Sequence, residues 1–151
     1  MKLYLTILLT AIISLSAAAQ DQTPLRRRNF NHDNGVALKD WDPVSYFKGA
    51  PGPGDKKFTY IHQGIRYFFK SAENMEAFKK APAKYEPAYG GWCAYSMSQG
   101  GKKEKVDQAT YKIVNGKLYL FSNFNGNNTL LKWNENEKRS KEAADRFWSK
   151  I

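Results

Sequence analysis

The sequence predicts a small α+β single domain, in which two β-hairpins pack with short helices and a C-terminal helix. Two pairs of segments rich in aromatic and β-branched residues are each separated by a short turn, the first at His62-Gln63-Gly64 and the second at Asn115-Gly116. This pattern is typical of β-hairpins, and Asn-Gly is the strongest short hairpin signal. Near the C-terminus, apolar residues recur at helical spacing with charges on the opposite face. Hairpins combined with packed helices indicate the α+β class.

The first half of the domain is predicted to hold one hairpin between short helices. Asp42 followed by Pro43 is typical of a helix start, because Asp caps a helix and Pro suits its first position. Ser71 is a second cap, with Glu73 favourably placed in the first turn that follows. The expected elements are a strand at 36–38, a helix at 42–47, a loop at 49–54, strands at 57–61 and 65–69, and a helix at 72–80 that Pro82 ends.

The second half is predicted to hold the other hairpin and the C-terminal helix. The strands are 111–114 and 117–121, on either side of the Asn-Gly turn. A helical pattern begins at Thr129 and continues to Ile151, with a break or bend expected near 134–136. We expect this helix to lie on the sheet.

The N-terminal residues have the three parts of a secretory signal peptide. Lys2 is followed by a mainly apolar run from Leu3 to Leu15 and by small residues from Ser16 to Ala19. The apolar run is shorter than the roughly 20 residues that a membrane-spanning helix needs. We therefore expect cleavage after Ala19, a signal peptide at 1–19, a periplasmic or secreted protein, and no transmembrane segment after cleavage.

The next residues, 20–35, are polar and without periodicity, which predicts a flexible N-terminal arm ahead of a domain at 36–151. The chain has 24 Lys and Arg against 14 Asp and Glu, a net charge of +10 that falls by one to +9 when Lys2 is removed. Because the basic residues are dispersed and the chain is expected outside the cytoplasm, the charge favours a solvated surface over nucleic-acid binding. Anionic envelope surfaces are the acidic partners that would fit.

Cys93 is the only cysteine and the most chemically capable residue of the expected mature chain. If Gly90 and Gly91 allow a tight turn into a helix beginning near Trp92, the thiol lies in the first turn, where the helix dipole favours a thiolate. Met97 would then lie on the same face, and His62 could complete a copper site, with His32 a weaker candidate. The alternative is a buried cysteine that acts as a small apolar side chain.

Several ordered motifs resemble the YHS domain family, over about the last three quarters of the chain. The matching segments are Asp42-Pro43-Val44-Ser45-Tyr46-Phe47, Tyr67-Phe68-Phe69-Lys70-Ser71, the helix at 72–80, and Pro82-Ala83-Lys84-Tyr85. The segments 89–95 and 115–120 and the C-terminal helix resemble the exported, stand-alone branch of that family. The resemblance implies a YHS-like domain at 36–151.

The resemblance carries two expectations about chemistry. YHS domains are associated with heavy-metal handling, and their metal-binding versions carry cysteines where this sequence has Ser45, Lys70 and Asn74. What remains is Cys93, and in the exported branch the equivalent position is sometimes selenocysteine. That likeness implies thiol or selenol reactivity at Cys93.

Three functional hypotheses follow. The first is an exported YHS-like binding domain for a transition metal such as copper, with Cys93, Met97 and His62 as ligands. The second is a thiol-based redox or peroxide-reactive protein that uses Cys93 and needs an external thiol, because the chain has no resolving cysteine. The third is a non-catalytic domain with a buried cysteine that contacts another envelope protein.

Overall fold

The computed structural model describes residues 21–151, so the predicted signal peptide at 1–19 lies outside the described residues. It has the helices and small sheets of an α+β domain ending in a helix, as predicted. In chain order the elements are α1 Thr23–Asn29, β1 His32–Asp33, β2 Val36–Ala37, β3 Asp55–His62, β4 Ile65–Phe69, α2 Ala72–Lys80, α3 Pro82–Tyr85, α4 Ala94–Ser98, β5 Asp107–Val114, β6 Lys117–Phe121, β7 Asn123–Phe124, β8 Asn127–Asn128, α5 Thr129–Glu135 and α6 Glu137–Trp148. Short 3-10 turns cover Leu38–Asp40, Ser45–Lys48 and Ala88–Gly91. Within residues 21–151, none of the helices combines the length and apolar character that crossing a bilayer requires.

The first sheet contains the first predicted hairpin. Its strand order is β1-β2-β4-β3, with β3 antiparallel and β2 parallel to β4. The pairing of β3 with β4 shifts register between Asp55 and Thr59, so the strand is longer than predicted and contains a bulge. The short helix expected after Asp42 is a 3-10 turn over Ser45–Lys48.

The second predicted hairpin is the pair β5 and β6, and its turn has the expected chemistry. Asn115 and Gly116 adopt φ values of 50° and 73°, the left-handed conformations that a tight hairpin turn of this kind requires. Strand β6 is buried on both faces. Its alternate residues enter two apolar clusters: Leu118 and Leu120 pack in one, while Tyr119 and Phe121 pack in the other.

The Ser71 helix cap and the C-terminal break were also predicted correctly. The Ser71 hydroxyl accepts a hydrogen bond from the Asn74 N–H at 3.2 Å, and α2 covers the predicted residues. Asn136 separates α5 from α6 with non-helical angles of φ −152° and ψ 64°. Trp133 on α5 and Ala144 on α6 are buried in the second cluster, against the far face of β6.

Residues 20–35 were expected to form a flexible arm, but the structure has a packed helix in this segment. Residues 23–29 form helix α1, in which the Arg26 guanidinium pairs with the Glu86 carboxylate and lies 4.2 Å from the Phe30 ring centroid. The Phe30 ring in turn contacts Trp148 on α6, with the ring centroids 6.0 Å apart. The packed face of α1 consists largely of a cation and an amide, Arg26 and the buried Asn29, so apolar periodicity could not reveal it.

A buried carboxylate, Asp42, joins three separate segments of the first sheet. Its Oδ1 accepts hydrogen bonds from the backbone N–H groups of Val44 at 2.8 Å and Ser45 at 3.3 Å, at the start of the 3-10 turn. Its Oδ2 accepts from the Lys70 N–H at 2.8 Å and from the Asn74 amide at 2.6 Å. The side chain is fully buried, so these four donors replace the water that a carboxylate would otherwise require.

We predict that Asp42→Ala lowers the free energy of unfolding by about 3 kcal/mol or more, because several buried donors lose their acceptor at once. The measurement is urea unfolding of the variant beside the parent. Asp40→Asn is the matched control: Asp40 is exposed, and Asn tolerates its positive φ, so the change is expected within about 0.5 kcal/mol. Equal stability of the Asp42 and Asp40 variants would contradict the proposed importance of this carboxylate.

Candidate functional site

The site is built around Cys93, which lies between the 3-10 turn Ala88–Gly91 and helix α4. Tyr89, Gly90 and Gly91 have φ values of 54°, 59° and 84°, so the chain makes the tight turn that the glycines predicted. Helix α4 begins at Ala94, and Cys93 is the residue before it, not in its first turn. The Cys93 N–H donates to the Glu104 carbonyl oxygen at 3.0 Å, which fixes the residue against the following loop.

The Cys93 side chain is fully buried, but hydroxyl groups surround its sulfur on one side. The Thr129 Oγ1 lies 3.3 Å from Sγ at the start of α5. The backbone N–H and the hydroxyl of Ser122, just after β6, each donate to Sγ at 3.5 Å. Three chain segments thus meet at the sulfur, and the environment is polar enough to solvate a charge on it.

The pKa of the Cys93 thiol reflects two opposing influences. Burial raises the pKa and is the largest single influence on it. Hydrogen bonds from the side chains of Ser96, Thr129 and Ser122, and from the Ser96 backbone, act in the opposite direction. Together they outweigh burial, so the pKa of Cys93 lies below its ordinary value.

The number of available protons decides which hydroxyls can stabilise the thiolate. The Ser96 hydroxyl donates to Glu104 Oε2 at 2.6 Å, so its single proton is already engaged with a carboxylate. The Thr129 hydroxyl donates to the Ser122 carbonyl oxygen at 2.9 Å, which leaves Thr129 Oγ1 to accept the S–H of the neutral thiol. When the thiol ionises, the Thr129 proton must turn toward sulfur, where Ser122 already donates. Thr129 and Ser122 are therefore the decisive side chains.

A surface cleft of about 310 Å³ has Ser122 in its lining. Its lining includes Ser122, Glu104 and Lys105, with Phe124 and Asn127 of the β7–β8 hairpin. Ser122 belongs both to this lining and to the groups bonded to Sγ, so it is the residue shared by the cleft and the surroundings of the sulfur.

The proposed metal partners of Cys93 lie in different surroundings. Met97 is fully buried in the second apolar cluster, together with Phe121 and Trp133, whereas Cys93 packs in the first. His62 is at the end of β3, where its ring contacts the rings of Tyr60 and Phe78 at centroid distances of 6.4 and 6.0 Å. Partial burial lowers the pKa of His62, with opposing effects of Glu86 and Arg26.

His32 has no ring nitrogen left for a metal. Its Nε2 lies 2.7 Å from the Arg27 carbonyl oxygen, so Nε2 carries the proton and donates. Its Nδ1 accepts from the Gly35 N–H at 3.1 Å. Across the part of the chain that the structure describes, no three His, Cys, Asp or Glu side chains form a group that could hold a metal ion.

Sequence reasoning found Cys93 but missed Ser122 and Thr129, which lie 29 and 36 residues further along the chain. Neither residue forms a motif with the cysteine, because the two contacts depend on how β6 and α5 pack. Ser and Thr are common at such turns and helix starts. No local signal could have selected them.

No family model, curated protein or solved structure matches this chain. Membership of the YHS family therefore stays a prediction from the motifs, and the activity has to be argued from the site itself.

We predict that Thr129→Val raises the pKa of Cys93, because it removes a donor to the thiolate while keeping the shape of the side chain. The measurement is the rate of Cys93 alkylation by iodoacetamide against pH. Thr110→Val is the matched control, since Thr110 is also buried but its hydroxyl donates to Asp107 Oδ2 at 2.8 Å. A lower pKa in the Thr129 variant would mean that Thr129 acts mainly as an acceptor for the neutral thiol.

We further predict a pH dependence of stability that comes from Cys93. The pKa is lower in the folded chain than in the unfolded one, where a cysteine titrates at about 8.5. The folded state therefore gains stability as the pH rises from below the folded pKa to above the unfolded pKa, and loses it as the pH falls through the folded pKa. Urea unfolding of the parent and of Cys93→Ser should diverge across that window. Parallel profiles would contradict the lowered pKa.

Proposed function

We propose that this chain is an exported, thiol-dependent redox protein of the YHS type, in which Cys93 is the reactive group. The observation that carries the proposal is the polar surroundings of a sulfur whose pKa is lowered despite burial: the Ser122 hydroxyl donates to Sγ at 3.5 Å, and Thr129 Oγ1 lies 3.3 Å from it. A thiolate is the reactive form of cysteine, and donors that stabilise it increase the reactive fraction at neutral pH.

The reaction that fits is reduction of a peroxide by an external thiol. The Cys93 thiolate attacks one peroxide oxygen; the S–O bond forms, the O–O bond breaks, and the leaving oxygen takes up a proton. The product is a sulfenic acid. An external thiol then attacks that sulfur, forming a mixed disulfide and releasing water, and a second external thiol restores Cys93 and leaves as the oxidised disulfide. Two thiols are oxidised for each peroxide reduced.

The buried position of the sulfur restricts the oxidant to a small molecule. The cleft beside Ser122 is the proposed entrance, since Ser122 lines the cleft and its hydroxyl also donates to Sγ. Burial also protects the thiol from reaction with bulky disulfides, so the regenerating thiol must reach the sulfur through the same opening. A small dithiol or monothiol fits this requirement better than a folded thiol protein.

Copper binding, the first hypothesis from the sequence, has weaker support in the geometry. Cys93 supplies one soft ligand, but Met97 packs in another cluster and His62 contacts Tyr60 and Phe78. The hydroxyls near the sulfur are poor ligands for a soft metal ion.

Export to the periplasm or the medium is part of the proposal and rests on the leader sequence.

We predict that the expected mature chain, residues 20–151, is oxidised by equimolar hydrogen peroxide at pH 7 faster than free cysteine. Intact-mass measurement should show the gain of one oxygen atom, and dimedone should trap the sulfenic acid. Cys93→Ser should abolish the trapped adduct, and Thr129→Val should slow its formation because less thiolate is present. The Thr110→Val control should react at the parent rate.

A second control separates cysteine from methionine oxidation: Met97→Leu should still form the dimedone adduct. Metal analysis of the parent after exposure to equimolar copper tests the competing hypothesis in the same preparation. A thiol that reacts with peroxide no faster than free cysteine contradicts the redox proposal. Stoichiometric copper lost in Cys93→Ser would favour the metal-binding domain, and an inert thiol without copper would favour the interaction domain.

A further inference from the structure

Asn31, the second residue after helix α1, holds the tight turn that precedes Cys93. Its backbone N–H donates to the Gly90 carbonyl oxygen at 2.8 Å, and its side-chain amide donates to that of Gly91 at 2.9 Å. The turn needs such support, because Tyr89 has a φ of 54°, which is unfavourable for a residue other than glycine. Both glycines are buried, so a carbonyl oxygen that loses its donor is costly to leave unpaired.

The same side chain also reaches the loop that follows helix α4. The Asn31 Oδ1 accepts a hydrogen bond from Lys105 Nζ at 3.2 Å. The residue before that lysine is Glu104, whose carbonyl oxygen accepts from the Cys93 N–H at 3.0 Å and whose carboxylate accepts from the Ser96 hydroxyl at 2.6 Å. Asn31 therefore connects the turn before the cysteine to the loop that is bonded to its backbone.

The neighbouring residues bring this segment close to the turn. The Trp92 indole N–H donates to the Asn29 carbonyl oxygen at 2.6 Å, and Lys103 Nζ donates to the Asn29 Oδ1 at 2.9 Å. The approach is possible because residue 90 is glycine: a Cβ at Gly90 would lie 2.9 Å from Phe30 Cδ1, closer than such atoms pack. Residues 29–31, the turn and the loop thus form one hydrogen-bonded unit around the backbone of the cysteine.

Within this unit, the Asn31 side chain is the group whose loss would matter most. Asn29 receives the indole N–H at its backbone carbonyl oxygen, which a substitution leaves in place. Lys103 and Lys105 are exposed, so each of their bonds competes with water and is worth little alone. The bond from the Asn31 amide to the Gly91 carbonyl oxygen depends on the side chain and lies two residues from Cys93.

We propose that Asn31 is a positioning residue for the Cys93 thiol. Its hydrogen bonds go to the turn and the loop rather than to the sulfur, and through them it fixes the backbone of Cys93. The side chain of Cys93 is thereby held where Ser122 and Thr129 can bond to it. The inference deepens the redox function and rests on it for its consequence in peroxide reduction, but not for its effect on the thiol.

Asn31→Ala in the expected mature chain tests the proposal through two measurements that need no peroxide. In the rate of iodoacetamide alkylation against pH, the apparent pKa of Cys93 should rise, and the rate at pH 7 should fall about threefold, because the hydroxyls no longer stay aligned with the sulfur. Hydrogen exchange of the Cys93 amide, followed by NMR, should be about tenfold faster, because its bond to Glu104 opens more often. Asn134→Ala is the matched control, since its Oδ1 accepts from Lys112 Nζ at 2.9 Å and it should leave both measurements unchanged.

A second control separates positioning from a general loss of stability. Ser71→Ala removes the cap of α2 and should lower the melting temperature while leaving the pH profile of Cys93 as in the parent. An equal change of that profile in the Ser71 and Asn31 variants would overturn the proposal, and so would an unchanged or lower apparent pKa in Asn31→Ala. If the parent fails to react with peroxide, the redox function is wrong, whereas the alkylation and exchange results still decide whether Asn31 positions the thiol.

Discussion

The arrangement of this domain depends on a fully buried carboxylate that is satisfied by groups from three chain segments. Asp42 fixes the turn that follows it through Val44 and Ser45, and it fixes the end of β4 and the start of α2 through Lys70 and Asn74. Because a charge buried without these donors would be strongly unfavourable, the three segments can pack only in the geometry that supplies them. A non-polar residue at this position would impose no such geometry.

The same turn connects the first sheet with the β5–β6 hairpin. Tyr46 follows Asp42 closely, and its buried ring packs edge-on against Tyr111 of β5 at a centroid distance of 5.0 Å. Its hydroxyl donates to the Gln108 carbonyl oxygen at 2.9 Å. Burial raises the pKa of Tyr46 well above its ordinary value, so the hydroxyl remains a donor at physiological pH. The position of β5 relative to the first sheet is therefore set by a polar contact as well as by apolar packing.

Strand β6 positions the polar groups that contact the Cys93 sulfur. Because its alternate residues are buried in opposite clusters, β6 cannot slip by one residue without exchanging the leucines for the bulkier Tyr119 and Phe121. Its register fixes Ser122, the next residue, beside Cys93. Thr129 is held there by its own bond to the Ser122 carbonyl oxygen. The groups that lower the pKa of the thiol are thus placed by the core.

The sequence predicted the elements whose signals are local. Hairpin turns, the Ser71 cap and the break before α6 are encoded in adjacent residues, and the structure has all of them. Helix α1 was missed because Arg26 and Asn29 make its contacts, and such residues are usually solvated. The hydroxyls around Cys93 were missed because their proximity depends on the packing of distant segments.

The polar groups around Cys93 also explain why this site is hard to detect from a sequence. The Ser122 hydroxyl donates to the sulfur, and the Thr129 hydroxyl donates to the Ser122 carbonyl oxygen, so both hydroxyl protons are bonded without a substrate. A satisfied network of this kind can be retained for the fold alone, since removal of one member would leave an unpaired buried group. Its effect on the pKa of the Cys93 thiol is what distinguishes it from the structural polar contacts elsewhere in the core.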